Sequence, residues 1–448
     1  MALPTISKPD GSDFHARFFR LAFVNILSNL MVPLAGLVDV AFLGHLEEIR
    51  HLAGVALATV LFNYIYWTFG FLRMGTTGTT AQAVGRSDEE AVLLTLLRNG
   101  VLALGIGLII LVLQHPLREL GFTLLSAAPE VKSSGRAYYD ALIWGAPATL
   151  LNFVFIGWFL GRSLGGKVLL LSVVGNTANV VLDYLFVVRW GWESAGAGWG
   201  TGASQYLMLL IGLIAASPSL REDKVRAVAQ QLLDPSALRA TFTLNRDILV
   251  RTFALVSTFA LFTNLSSVLG TVVLATNTLL LQVVSLAAYF IDGLAFATES
   301  FAGMFRGKGA NKQLVPLVRL SGGVSLILGV SGALVFNLFP APLFRLLTNH
   351  SEVIDPIRHY VGWLVPVLGF GSVAFMLDGY FLGLTEGRIL RNATIISALV
   401  GFAPVALAAY WFHSSFLLWL ALSLFMVGRV VTLGVNVPRT FRQKSSED

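Results

Sequence analysis

Apolar stretches of about twenty residues recur along the whole of this chain, and few sequence features restrict a fold more. A helix needs about 20 residues to cross roughly 30 Å of hydrocarbon at 1.5 Å per residue, and in lipid each backbone polar group must be satisfied within the spanning element. The pattern predicts an all-α integral membrane protein with about twelve transmembrane helices. They fall at about 18–43, 51–77, 91–114, 134–161, 167–188 and 197–216, then 246–269, 274–300, 314–338, 354–383, 389–411 and 415–436. Charge agrees with this, since 12% of residues are charged, 55% are hydrophobic and the mean hydropathy is +0.74. A soluble protein of this length needs far more charge to cover its surface. The polar start and the lack of a small-residue cleavage site after the first apolar run point to a retained helix and not a signal peptide. With no cysteine, disulfides, thiolate nucleophiles and cysteine metal sites are excluded, and the redox compartment is left unread.

Composition divides the chain into a tail at 1–17, a first set of six helices at 18–216, a polar linker at 217–245, a second set at 246–436 and a tail at 437–448. Mixed charges with Pro218 and Pro235 mark the linker. The net charge of +6 raises the question of nucleic acid, but the basic residues sit in short connections, where they set topology instead. Counting alternate connections, one side holds Arg50, Arg118, Lys132, Arg136, Arg189, Arg345 and Arg358. Arg73 is read as the only basic residue well inside a helix, and the other Lys and Arg fall on the side of the termini. The bias predicts cytoplasmic termini in the inner or plasma membrane.

Sliding the sequence against itself by 222 positions aligns Gly107 with Gly329, Arg136 with Arg358, Tyr138 with Tyr360, and Gly157–Gly161 (GWFLG) with Gly379–Gly383 (GYFLG). One constant offset that also matches Arg and Tyr is not produced by apolar composition. It predicts two six-helix lobes related by an internal repeat, the architecture of alternating-access transporters.

Charged groups inside apolar helices cost several kcal/mol unless paired or wetted, which makes them functional candidates. Asp39, Asp183, Asp292, Glu299 and Asp378 qualify. Asp39 lies about 20 residues into helix 1 and Asp183 about 16 into helix 5, so both fall in the outer half. Asn176, Asn179 and Asp183 are spaced i, i+3, i+7 and share one helical face. Tyr138 and Thr201 lie near the outer starts of helices 4 and 6, where an interfacial aromatic and a helix cap are the competing readings. Arg73 aligns under the repeat with Ala295, which Asp292 and Glu299 flank. A gating charge pair of Arg73 with Glu299 or Asp292 is one reading, snorkelling of Arg73 to the inner interface the other.

Five stretches together resemble the MATE (multidrug and toxic compound extrusion) family in its DinF branch: Leu27–Leu46, Phe71–Ala83, Val174–Asp183, Leu244–Ile248 and Leu377–Gly383. The resemblance covers about residues 17–437. It implies twelve helices in two lobes, and cation-coupled export of diverse, often cationic or amphipathic compounds. It also makes Asp39, Tyr138, Asn179, Asp183 and Thr201 a substrate and proton site, with Asn176 beside it. Where the branch often has a proline in helix 1 this chain has Val24, while Pro33 is present.

The expected chemistry is exchange. A carboxylate in a poorly hydrated cavity takes up protons near physiological pH, so a proton and a cationic drug compete for it. No GxxxxGK[ST] loop is present, and the glycines of Gly196–Gly202 suit close helix packing. Between 248 and 291 there is no Asp or Glu, so H+ is favoured over Na+ as coupling ion, with Asp378 a possible C-lobe cation site. No organic cofactor, metal or nucleic acid is expected. The expected partners are drugs or toxic metabolites and membrane lipid, and the expected state is a monomer. The alternatives are a sodium-coupled exporter and a lipid-linked precursor flippase, which would carry a more basic cavity. A lipid-modifying membrane enzyme would need clustered His, Asp and Glu, whereas the seven histidines are dispersed.

Overall fold

A computed structural model describes residues 11–125, 127–345 and 351–441; of the expected tails, 1–10 and 442–448 lie outside the described residues. Among the described residues, twelve helices are long and apolar enough to cross a membrane. They are α1 (Phe14–Gly44), α2 (Ile49–Gly85), α3 (Glu89–Val112), α4 (Pro129–Gly161), α5 (Gly165–Arg189) and α6 (Glu193–Ala216), followed by α7 (Pro235–Val268), α8 (Thr271–Gly307), α9 (Asn311–Leu338), α10 (Val353–Gly383), α11 (Gly387–Trp411) and α12 (Ser415–Thr440). No strand occurs among the described residues. The chain is an all-α, multi-pass membrane protein.

Local chemistry explains the departures from regular helix. In the middle of α4 a 3-10 turn, Ile143–Gly145, precedes Pro147, whose ring cannot continue the ladder behind it. The fifth helix of each half contains a π-helical segment, Tyr184–Arg189 in α5 and Ser397–Phe402 in α11. Asp183 is the last α-helical residue before the first of these, and such widened turns are frequent at functional sites. Helix α7 starts at Pro235, earlier than the expected 246. The Asp234 carboxylate accepts from the Ser236 backbone N–H at 2.9 Å, and proline suits the first helical position, so the Asp-Pro pair read as linker opens the helix instead.

The chain packs as two compact units. One takes Ser28–Arg162 and Gly166–Thr252; the other takes the chain from Phe253 onward, the residues up to Leu27, and Ser163–Gly165. Each unit is held by the same helix contact. In the first, a side chain at Gly157 would meet the Arg73 carbonyl at 2.4 Å, and one at Gly161 the Thr77 carbonyl at 2.6 Å. In the second, a side chain at Gly379 would meet the Ala295 carbonyl at the same distance, 2.4 Å. The repeated glycines therefore seat α4 closely on α2 and α10 closely on α8.

Two helices change unit part-way. The first half of α1 packs in the second unit, where Phe14 and Phe18 lie edge-on or tilted to Phe301 at 5.6 and 6.1 Å and Ile26 fills the space over Gly293. The first half of α7 packs in the first unit. There Asn245 sits against Gly75 and donates to Asn99 Oδ1 at 3.4 Å. The connection ahead of it is anchored as well, since Val228 packs on Leu93 and Leu94 and Arg98 Nε donates to the Leu232 carbonyl at 3.2 Å.

Candidate functional site

Within the first unit, Asp39 near the end of α1 and Asp183 on α5 bring their carboxyl groups side by side, close enough to share a hydrogen bond. Asp183 is 1% exposed. Asn179, one turn back on α5, donates through Nδ2 both to Asp183 Oδ2 at 3.1 Å and to Thr201 Oγ1 on α6 at 3.2 Å. Tyr138 on α4 is buried, rests edge-on against Phe62 at 6.1 Å, hydrogen-bonds Thr59 and lies within the electrostatic reach of both acids. Four helices thus converge on one pair of carboxyls. Asn176, by contrast, donates to the Ser172 carbonyl on its own helix at 2.7 Å and is not bonded to the acids.

Hydrogen-bond accounting shows what the pair lacks. Asp39 Oδ1 and Asp183 Oδ1 are buried without a donor among the described residues, and two ionised carboxylates offer acceptors only. A single proton held between the carboxyls would supply the missing donor. The approach is possible because α6 carries Gly200 here: a Cβ at that position would fall 1.9 Å from Asp183 Oδ1. Beside the site, Leu182 and Gly202 help to line an apolar recess of about 480 Å³ with Trp144, Trp199 and Tyr206.

The second unit treats its acids differently. Asp378 on α10 is ion-paired with Arg429 on α12, both side chains buried. The guanidinium also lies over the Phe375 and Phe425 rings, at 5.0 and 5.7 Å, and within the electrostatic reach of Asp292 on α8. Arg73 is not, therefore, the only basic residue well inside a helix: Arg429 is 0% exposed and Arg251, on α7, 4%. Asp292 and Glu299 belong to this unit and Arg73 to the other.

A family model described as MatE matches the chain twice, at residues 25–185 and 248–407, once in each half. The chain belongs to the MatE family. DNA damage-inducible protein F of Escherichia coli K12 is 34% identical to it over 428 residues, 95% of this chain and 92% of that protein. A probable multidrug resistance protein NorM of Thermotoga maritima is 22% identical over 405 residues, 90% of this chain and 87% of its own length. Among solved structures, a MOP superfamily transporter from Pyrococcus furiosus superposes with a TM-score of 0.85 at 19% identity, covering 95% of this chain and 96% of that one. An outward-facing MATE family transporter of the same superfamily superposes with a TM-score of 0.83 at 20% identity, covering 95% and 94%. At such identities the structures bear on fold alone.

As a MATE protein the chain is a membrane transporter and not an enzyme, with the two-lobe fold of its structural neighbours. Several residues of this transporter escape sequence reasoning. Gly200 is one, because a glycine in a glycine-rich helix start carries no sign of the carboxylate it admits. Asn152 is another: it ties α4 to α6 by donating to the Gln205 carbonyl at 2.9 Å. Arg429 does leave a signal, an arginine inside the last apolar run, obscured when it is counted with the C-terminal charges.

Proposed function

We propose that this MATE transporter exports organic cations and amphipathic compounds across the inner or plasma membrane in exchange for protons, with both termini in the cytoplasm. The observation that carries the reading is the pair Asp39 and Asp183, two carboxyls in hydrogen-bond contact whose Oδ1 atoms lack a donor among the described residues and which are ringed by Asn179, Thr201 and Tyr138. Ionised, the pair attracts a cationic substrate. Protonated, it loses that attraction, and substrate and proton become alternatives at one place. Similarity to probable multidrug resistance proteins NorM supports drugs as the substrate class. Protons rather than sodium are supported by the acid-free stretch between 248 and 291 and by the guanidinium already paired with Asp378. The charge bias of the connections supports the orientation.

The test is transport in liposomes. Purified protein should drive a fluorescent organic cation against an imposed pH gradient, stop when a protonophore dissipates the gradient, and be indifferent to replacing sodium by choline. Transport that requires sodium and ignores the protonophore would overturn the choice of ion.

A further inference from the structure

His51, the third residue of α2, is 5% exposed and has neighbours on both ring nitrogens. Nδ1 lies 2.8 Å from Ser194 Oγ on α6 and 3.4 Å from Ser134 Oγ on α4. Nε2 lies 3.2 Å from the carboxylate of Glu193, whose side chain is 52% exposed. One imidazole thus ties the starts of α2, α4 and α6 together, with a single half-exposed carboxylate between it and solvent. The helix register is what connects this cluster to the acid pair. One turn further along α4 from Ser134 comes Tyr138, two turns along α6 from Ser194 comes Thr201, and two turns along α2 from His51 comes Thr59. These are the groups that surround Asp39 and Asp183 or hold Tyr138.

We propose that His51 is a positioning residue for the acid pair: it fixes the three helices that present Tyr138, Thr201 and Thr59, and it changes its grip on them when the imidazole gains a proton at the outer surface. The change follows from donor counting. Nε2 lies 3.2 Å from Glu193 without completing a hydrogen bond, but the carboxylate beside it favours the tautomer with hydrogen on that nitrogen, in which the neutral ring's Nδ1 accepts from the Ser194 hydroxyl. A second proton turns Nδ1 into a donor, and the Ser194 and Ser134 hydroxyls must reverse to accept from it. The other charged groups around this turn are committed elsewhere or flank it: Arg50 pairs with Glu48 on the same helix end, Arg136 is held by Glu119 at 2.8 Å, and Lys132 flanks Ser134 on α4. Glu193 is the charge that contacts the ring.

This rests on the proton-exchange reading of Asp39 and Asp183, and the experiment separates the two. Transport of a fluorescent organic cation is measured in liposomes under a constant pH difference, while absolute pH is varied from about 5.5 to 8. His51→Gln keeps hydrogen-bonding groups for Ser194 but cannot change charge. It should transport, yet lose a step of about five-fold or more that the wild type shows across that range. His51→Ala, which removes the grip as well, should be slower than His51→Gln at every pH, so that glutamine rescues rate but not pH response. Equal elution of the variants in detergent checks folding, and should His51→Ala fail it, the glutamine variant decides alone. A His51→Gln profile that superposes on the wild type overturns the proposal while leaving the acid pair standing. Wild-type transport that ignores the pH gradient overturns both.

Discussion

In the first unit Asp39 and Asp183 face each other among neutral donors, whereas in the second Asp378 lies against a buried guanidinium. The two units come from one repeat, yet this chemistry is not repeated. At the offset of 222 that superposes Gly157 on Gly379, Asp39 corresponds to Leu261, Asp183 to Val405, Asp378 to Ile156 and Arg429 to Leu207. Duplication has kept the glycines that pack helices and not these charged side chains. The carboxylate of Asp378 has a guanidinium of its own unit as counter-charge, whereas Asp39 and Asp183 have each other and the neutral donor Asn179. On the proposed reading, ion exchange belongs to the first unit and structural cohesion to the second.

The largest effect should come from removing either member of the first pair. Asp39→Asn and Asp183→Asn should lower pH-driven transport by about 100-fold or more, since each removes a charge that substrate and proton share, with the protein still inserted and folded. Vesicle transport and membrane abundance measured together decide it; full activity in both variants would remove the pair from the mechanism.

In the second unit the same kind of change should act on stability. Arg429→Met leaves Asp378 buried without its guanidinium, and breaking a buried ion pair from one side costs about 3–5 kcal/mol. Replacing both, as Asp378→Leu with Arg429→Met, should recover most of that loss, because apolar groups of similar volume substitute for a buried pair at little cost. Thermal unfolding in detergent reads both values. Transport by the double variant should stay within about three-fold of wild type, and its abolition would show that the second unit exchanges ions too.

How much of this was legible in the sequence depends on where the deciding partner lies. The twelve helices follow from the length and hydropathy of each run, properties local to it. The repeat follows from a constant offset. The start of α7 was obscured because Asp234-Pro235 reads equally as linker and as helix cap, and only the 2.9 Å bond to Ser236 separates the two. Burial of Arg429 is decided by Asp378, two helices away, and the positions of the first halves of α1 and α7 by aromatic and amide contacts that hydropathy does not contain. Asp39 and Asp183 stood out as acids within lipid-length runs. Gly200 and His51, which act through neighbours, did not.

Gly200→Ala should give a smaller effect than loss of an acid. The added methyl falls 1.9 Å from Asp183 Oδ1, so the carboxyl has to rotate away from Asp39 or α6 has to retreat from α5. Either separates the pair without removing a charge, and a loss of about ten-fold in transport is expected, equivalent to about 1.4 kcal/mol. Wild-type rates in Gly200→Ala would mean that contact between the carboxyls is dispensable, and the contrast between the units would reduce to the presence or absence of Arg429.

The smallest effect is expected at Thr201, and it tests whether the neutral donors around the pair matter by themselves. Asn179 divides its Nδ2 group between Asp183 Oδ2 at 3.1 Å and Thr201 Oγ1 at 3.2 Å. Thr201→Val keeps the shape and deletes the second acceptor, so the amide is held by Asp183 alone. One hydrogen bond of this kind is worth about 1 kcal/mol, which is about five-fold in an equilibrium constant. The ionised acid keeps its donor, so the shift should appear in the proton concentration that half-saturates transport and not in the maximal rate. Thr201→Ser restores the hydroxyl and should restore the wild-type value. If valine and serine behave alike, the orientation of Asn179 is set by α5 alone, and the first unit differs from the second through its two acids and nothing else.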